Sequence, residues 1–295
     1  MFEPPAARLL PDGRRLHLQQ GPIDLVVEAT GPADAVEAAY RAAMARFDGL
    51  LAELCDELAL LRSPVRAISP VPAGPVARRM HEAVAPFAAE IFITPMAAVA
   101  GAVAQEILGV MVAAAPLSRA YVNNGGDIAL HLAPGEQFRI GLVERPDRPS
   151  LFATASIAAS DPVRGIATSG YPGRSFSRGI AEAVTVLAAT AAMADAAATV
   201  IANAVDLPGH PAIERLPANA IQADSDLGAL LVTRHVGRLS EAEIETALAA
   251  GLRRAQALQG AGLIVAAAMH LQGVSRTLAT PMIVQEEPKR RPARA

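Results

Sequence analysis

Apolar and polar positions along the chain switch between two periodicities. Residues 14–29 alternate closely enough for two short strands, with Gly21-Pro22 as the turn between them. The spacing then lengthens. Val36, Tyr40, Phe47, Leu51, Leu54, Leu58 and Leu61 recur at steps of three, four and seven, which predicts one long helix with a single apolar face. Asp34 is its expected N-cap and Ser63-Pro64 its stop. Prolines crowd residues 63–76 into a connecting loop. A second helix is expected over 74–87 and a third, rich in Ala, Gly and Val, over 95–114 behind Thr94-Pro95.

From 119 onward the pattern becomes that of strands: 119–123, 127–132, 137–143, 150–157 and 163–168, with turns at Pro134-Gly135 and between Pro146 and Pro149. Residues 183–188 read as a buried strand and 190–205 as a helix. Residues 206–225, with Pro208, Pro211 and Pro217, read as an irregular connection ahead of a strand at 228–234. The last helix is announced by Ser240 and Glu243, an S-x-x-E capping box, and runs to about Leu258. Strands at 262–271 and 275–279 complete an α+β pattern. Residues 1–285 read as a single domain; a diverged internal duplication is compatible with that, although no sequence repeat is visible. The charged, proline-bearing tail 286–295 is expected to be disordered.

Composition narrows the function classes. The 295 residues are 52% apolar, only 3% aromatic and without Trp, and the formal net charge is -3. Few rings and no basic field argue against a nucleic-acid platform. The single cysteine, Cys55, cannot form an intramolecular disulfide and reads as a small apolar helix residue. Two apolar stretches, 95–118 and 183–205, are interrupted by Gln105-Glu106 and by Asp195, and read as buried elements rather than membrane spans. The N-terminus has no signal-peptide pattern, so a cytoplasmic location is the expectation. Ala/Gly-faced helices would suit a homodimer.

No familiar catalytic pattern is present. The six histidines are scattered without metal-ligand spacing, and there is no nucleophile elbow, P-loop or dinucleotide fingerprint. Three segments stand out instead. Asn123-Asn124-Gly125-Gly126-Asp127 sits between two strands, where paired glycines allow either a hairpin turn or the close approach of a ligand to backbone N–H groups. Thr168-Ser169-Gly170 ends a strand and is followed by Arg174 and Arg178; hydroxyls and guanidinium groups suit phosphate oxygens, the alternative being a solvated loop. Asp195 is the only charge between Glu182 and Asp206, and Thr199 lies one helical turn on, so both oxygens can face one spot, as Mg²⁺ requires. The plainer role for Asp195 is to cap a helix.

Taken in order, G-G-D-I, T-S-G and A-D-A-x-A-T resemble the ApbE superfamily, flavin transferases that move FMN from FAD onto a protein threonine. More narrowly, Asn124-Gly125-Gly126-Asp127-Ile128, the run Ser177–Ala188 and Asp226-Leu227-Gly228 resemble an uncharacterised ApbE-related family. The resemblance implies two T-fold-like halves, with antiparallel sheets and long packed helices and the ligand between them. It implies Asp195 and Thr199 as Mg²⁺ ligands. It implies that the Asn124–Asp127 and Thr168–Gly170 loops line a pocket for FAD or FMN, or another small phosphorylated ligand. Two segments depart from the transferase pattern. Ala98-Val99-Ala100-Gly101-Ala102 has no Lys where those enzymes carry I-A-K-G-Y, and Arg174–Gly179 has no His or Asp where they carry H-I-x-D-P. A binding or accessory protein on the same scaffold, and an enzyme for an unrelated small anionic metabolite with Arg174 and Arg178 as clamps, are the alternatives these departures motivate.

Overall fold

A computed structural model describes residues 3–143, 151–173, 175–278 and 283–285. β1 (Ala6–Leu9), β2 (Leu16–Gln20) and β3 (Ile23–Thr30) lead into α1 (Ala33–Phe47), α2 (Leu50–Asp56), α3 (Leu58–Leu61), α4 (Pro75–Val84) and α5 (Val99–Ala114). β4 (Arg119–Asn124) and β5 (Asp127–Leu132) follow, then the hairpin β6 (Gln137–Val143) and β7 (Leu151–Ala158). β8 (Gly165–Ser169), β9 (Ala183–Ala188) and α6 (Ala191–Ala204) come next. After them come β10 (Ile213–Pro217), the short α7 (Ala218–Ile221), β11 (Leu231–Val236) and α8 (Glu241–Gly260). β12 (Ala266–Leu271), β13 (Val274–Thr277) and β14 (Ile283–Gln285) end the described chain.

Among the described residues, nine strands make one sheet in the order β1-β2-β3-β4-β5-β8-β9-β12-β13, antiparallel at every pairing. The protein is therefore α+β with antiparallel sheets. A succession of two strands, helices and two strands occurs on each side of the β5/β8 junction, which is short: Ile128 pairs Ile166 and Ala129 pairs Gly165. Alternation along the strands builds two cores. Leu25, Val27, Val122, Ala129, Val184, Val186 and Met269 face the helices. Leu130, Leu132, Ile166, Leu187, Ala266 and Ala268 face a three-stranded sheet of β6, β7 and β14 on the other side. β9 and β12 are covered on both faces, which is why they are mainly apolar rather than alternating, with Thr185 and His270 the polar exceptions.

Several expectations change. The predicted long helix is three helices, broken at Asp48-Gly49, where Gly49 adopts φ +82°, and again at Glu57. Asp34 does not cap α1; the N-cap is Pro32, and Asp34 lies in the first turn, where its charge faces the positive end of the helix. The expected irregular connection contains β10 and α7, and β1 was not foreseen. The capping box of α8 forms as read, with Ser240 accepting from the Glu243 N–H and Glu243 from the Ser240 N–H. The expected tail 286–295 lies outside the described residues.

The stretch 183–205 is β9 followed by α6. Among the described residues one helical run, Pro95–Ala114, is long and apolar enough to cross a membrane; here it packs against α1, α4, α6, β4 and β5. At Gly101 its small-residue face meets the backbone of α6. A Cβ on Gly101 would stand 2.2 Å from the Ala191 carbonyl oxygen.

Candidate functional site

The close approach of α5 and α6 sets the site. Asp195, on the second turn of α6, reaches across to the start of α5, where its Oδ2 accepts the Gly101 N–H at 2.9 Å; the Ala100 N–H donates as well. Asp195 thus caps the neighbouring helix, whose first N–H groups lack partners of their own. Its own helix is capped by Thr190, which accepts from the Met193 N–H at 3.2 Å. Asn124 holds the same turn from the sheet side, donating from Nδ2 to the Ala100 carbonyl at 3.2 Å.

The next strand brings a second carboxylate. Asn124 and Asp127 pair across the β4–β5 hairpin, and Gly125 and Gly126, with φ +67° and +116°, make its two-residue turn. The Asn123 Oδ1 accepts the Gly126 N–H at 2.8 Å and steadies that turn. Asp127 accepts the Thr168 N–H at 3.2 Å, and the Thr168 hydroxyl bonds the Thr185 hydroxyl at 2.9 Å.

A cavity of about 400 Å³ opens in front of these groups. Asp127, Ser169, Asp195, Thr199 and Arg178 line it, together with the segment Ile91–Ala97, Asn203 and the 222–227 loop. Thr94 donates to Asp226 Oδ2 at 2.5 Å and ties two of the walls together; Arg62 pairs with Asp224 at 2.9 Å. Phe92 and Phe176, in a chain with few aromatics, both face the cavity. Of the residues singled out in sequence, Asn124, Gly125, Gly126, Thr168 and Gly170 stand behind this lining. Gly170 is there because a Cβ would fall 2.3 Å from the Glu182 carbonyl oxygen. Arg174 lies outside the described residues. Asn203 was missed, although it continues the Asp195-Thr199 face of α6 by one more turn.

Two carboxylates in one secluded space disfavour ionisation. Burial raises Asp195 to about 7 against the pull of the Gly101 and Ala100 N–H groups. Burial, and then the charge of Asp195, hold Asp127 well above the usual carboxylate range, opposed by the Thr168 N–H. Both residues keep a fraction of their surface, so they are reachable from the cavity. A divalent cation would relieve the repulsion. Among the described residues no three His, Cys, Asp or Glu side chains are grouped to hold a metal. Two carboxylates and a hydroxyl are an all-oxygen, low-ligand set that suits Mg²⁺, which keeps several waters.

The raised values carry a pH dependence. A carboxyl that binds its proton more tightly in the folded than in the unfolded chain adds stability at low pH and loses it as pH rises through the folded value. With Asp195 raised to about 7, the metal-free protein is expected to lose melting temperature between about pH 4 and 7. The depressed carboxyls Asp12, Glu106 and Glu243 act below that interval. Burial raises Asp206 too, so the control is Asp195→Asn, which should flatten the profile; an unchanged slope would refute the assignment.

The profile of the family described as AbpE bacteria matches residues 7–277. A UPF0280 protein of Methanopyrus kandleri is 39% identical over 140 residues, 48% of this chain and 52% of that protein. A UPF0280 protein of Methanococcoides burtonii is 38% identical over 131 residues, 41% of this chain and 50% of its own. The chain thus spans about half the length of the curated relatives it matches. Among solved structures, the apo flavinyl transferase ApbE of Pseudomonas stutzeri superposes with a TM-score of 0.43 at 13% identity, covering 96% of this chain and 95% of that one. The flavin transferase ApbE of Vibrio cholerae gives 0.37 at 14%, covering 96% and 98%.

Proposed function

The chain belongs to the AbpE bacteria family, an uncharacterised ApbE-related family, and from that premise we propose that its cavity binds the phosphorylated part of a flavin nucleotide together with Mg²⁺. The observation that carries this reading is the Asp127–Asp195 pair, secluded, short of countercharge and facing the cavity with Thr199 one turn along α6. Asp195 and Thr199 would hold the ion through side-chain oxygens, and Asp127 presents a second carboxylate to the same space. Bound Mg²⁺ supplies charge neutralisation at a pyrophosphate. Ser169 and Arg178 offer a hydroxyl and a guanidinium to phosphate oxygens. Phe92 and Phe176 offer faces against which a flavin ring can pack. We read the two strand-helix-strand successions as the two T-fold-like halves, with this cavity between them.

With FAD, Mg²⁺ and a threonine-bearing acceptor peptide, the transferase form of this reading has the acceptor hydroxyl attack the flavin-side phosphorus. The phosphoanhydride bond breaks, AMP leaves and the hydroxyl proton passes to solvent. Release of AMP, lost on Asp195→Asn, is the expected outcome. Absence of AMP alongside an FAD-induced rise in melting temperature would instead favour a binding or accessory role. One observation supports that second reading: Ala100, at the third position of the segment where the transferases carry Lys, lines the cavity and brings no charge to it. Neither AMP nor any thermal response to FAD would end the flavin reading.

A further inference from the structure

A second cavity, of about 660 Å³, adjoins the first and shares Ile91, Phe92, Arg178, Val200 and Asn203 with it. The two differ in sign. The first is lined by Asp127, Asp195, Asp224 and Asp226 against Arg62 and Arg178. The second is lined by Arg178, Arg215 and Arg254 against Asp206 alone.

Three guanidinium groups reach this space from three separate parts of the chain: the segment before β9, β10 and α8. Their local compensation is incomplete. Arg215 donates through Nη2 to Asp206, while its Nε is buried with no partner. Arg254 donates to Glu90 at 2.6 Å, but that carboxylate is 63% exposed and lies outside the cavity lining. Arg178 is held by its backbone, whose N–H donates to Asn203 Oδ1 at 2.8 Å; its side chain makes no hydrogen bond or ion pair among the described residues. Converging cations repel unless an anion lies between them, and arginine forks match the paired oxygens of phosphate and carboxylate.

We propose that the second cavity is an anion subsite, in which Arg178, Arg215 and Arg254 take a phosphate or carboxylate group distinct from whatever faces Asp127 and Asp195. The ligand class is a small molecule with an anionic group at that end, or a separate small anionic co-substrate. The subsite shares Arg178 with the first cavity, whereas Arg215 and Arg254 line it alone, and it requires neither flavin nor metal.

Calorimetric titration with inorganic phosphate, and separately with succinate, in the presence of EDTA tests it. At least one probe should bind the wild type, and the preferred probe identifies phosphate or carboxylate as the group taken. Arg254→Gln and Arg178→Gln should each weaken binding by about tenfold or more, and Arg62→Gln, at a residue that lines the first cavity alone, should leave it unchanged. Arg254→Lys, which keeps charge but not the fork, should fall between Arg254→Gln and wild type and also serves if the glutamine variant folds poorly. No binding of either probe at millimolar concentration overturns the proposal. So does binding that ignores the Arg178 and Arg254 substitutions, or binding lost with Arg62→Gln. Because no flavin is present, failure of FAD turnover and failure of this subsite are separate results.

Discussion

Asp195→Asn abolishes the Mg²⁺-induced rise in melting temperature while leaving the metal-free protein at least as stable as wild type; Asp195→Ala abolishes the same response and destabilises the metal-free fold by about 1–3 kcal/mol. The two variants separate two tasks of one side chain. As a cap, Asp195 accepts the Gly101 and Ala100 N–H groups at the start of α5. An asparagine oxygen can still accept, and its amide can donate toward Asp127, so the buried charge repulsion disappears without orphaning the helix end. Alanine leaves the two donors without an acceptor in a secluded place, and a buried unsatisfied donor is more destabilising than a lost surface contact. As a ligand, the carboxylate matters for its charge, which neither replacement supplies. Denaturant melts with and without Mg²⁺ measure both effects. A full Mg²⁺ response in Asp195→Asn would remove Asp195 from the ligand set and leave it a cap alone.

The sequence displayed some of this and concealed the rest for physical reasons. Asp195 was conspicuous because a lone carboxylate in an alanine-rich run needs a reason to be desolvated. Asp127 was visible as the end of a Gly-Gly segment that read equally as a turn or a ligand loop, and the structure separates the two roles: the glycines make the hairpin, and the aspartate faces the cavity. The opposite wall was not legible. Thr94 and Asp226 are 132 positions apart, and Arg62 and Asp224 meet only because the fold brings them together. Local pattern carries no such information. The same limit operated on the elements. α8 was readable because its cap is local, and β9 and β12 because burial on both faces leaves mainly apolar runs, interrupted only by Thr185 and His270. The break at Gly49 was hidden because Leu50, Leu51 and Leu54 stay buried past it, so the apolar period continues through the interruption. β10 was hidden because residue type does not follow burial in Ile213–Pro217: exposure alternates, but Leu216 is exposed and Arg215 is half-buried.

The packing that creates the site gives the second large effect. Gly101→Ala is expected to destabilise the protein by about 3 kcal/mol, at the upper end for overpacking, and to erase its response to Mg²⁺ and FAD. The added methyl would sit 2.2 Å from the Ala191 carbonyl oxygen, 2.6 Å from its carbon and 2.9 Å from the Ala192 nitrogen, so the obstacle is backbone and no rotamer change relieves it. The start of α5 must move away from α6. That movement stretches the 2.9 Å bond from the Gly101 N–H to Asp195 and shifts the carboxylate relative to Asp127. Gly109→Ala, eight residues along the same helix, is the control. Its Cβ would meet nothing within 4 Å, and the position is exposed, so the better helix propensity of alanine should stabilise the fold by up to about 1 kcal/mol. Denaturant melts of the two variants should therefore move in opposite directions. Equal, small shifts would mean that α5 and α6 can separate freely and that their contact does not position Asp195.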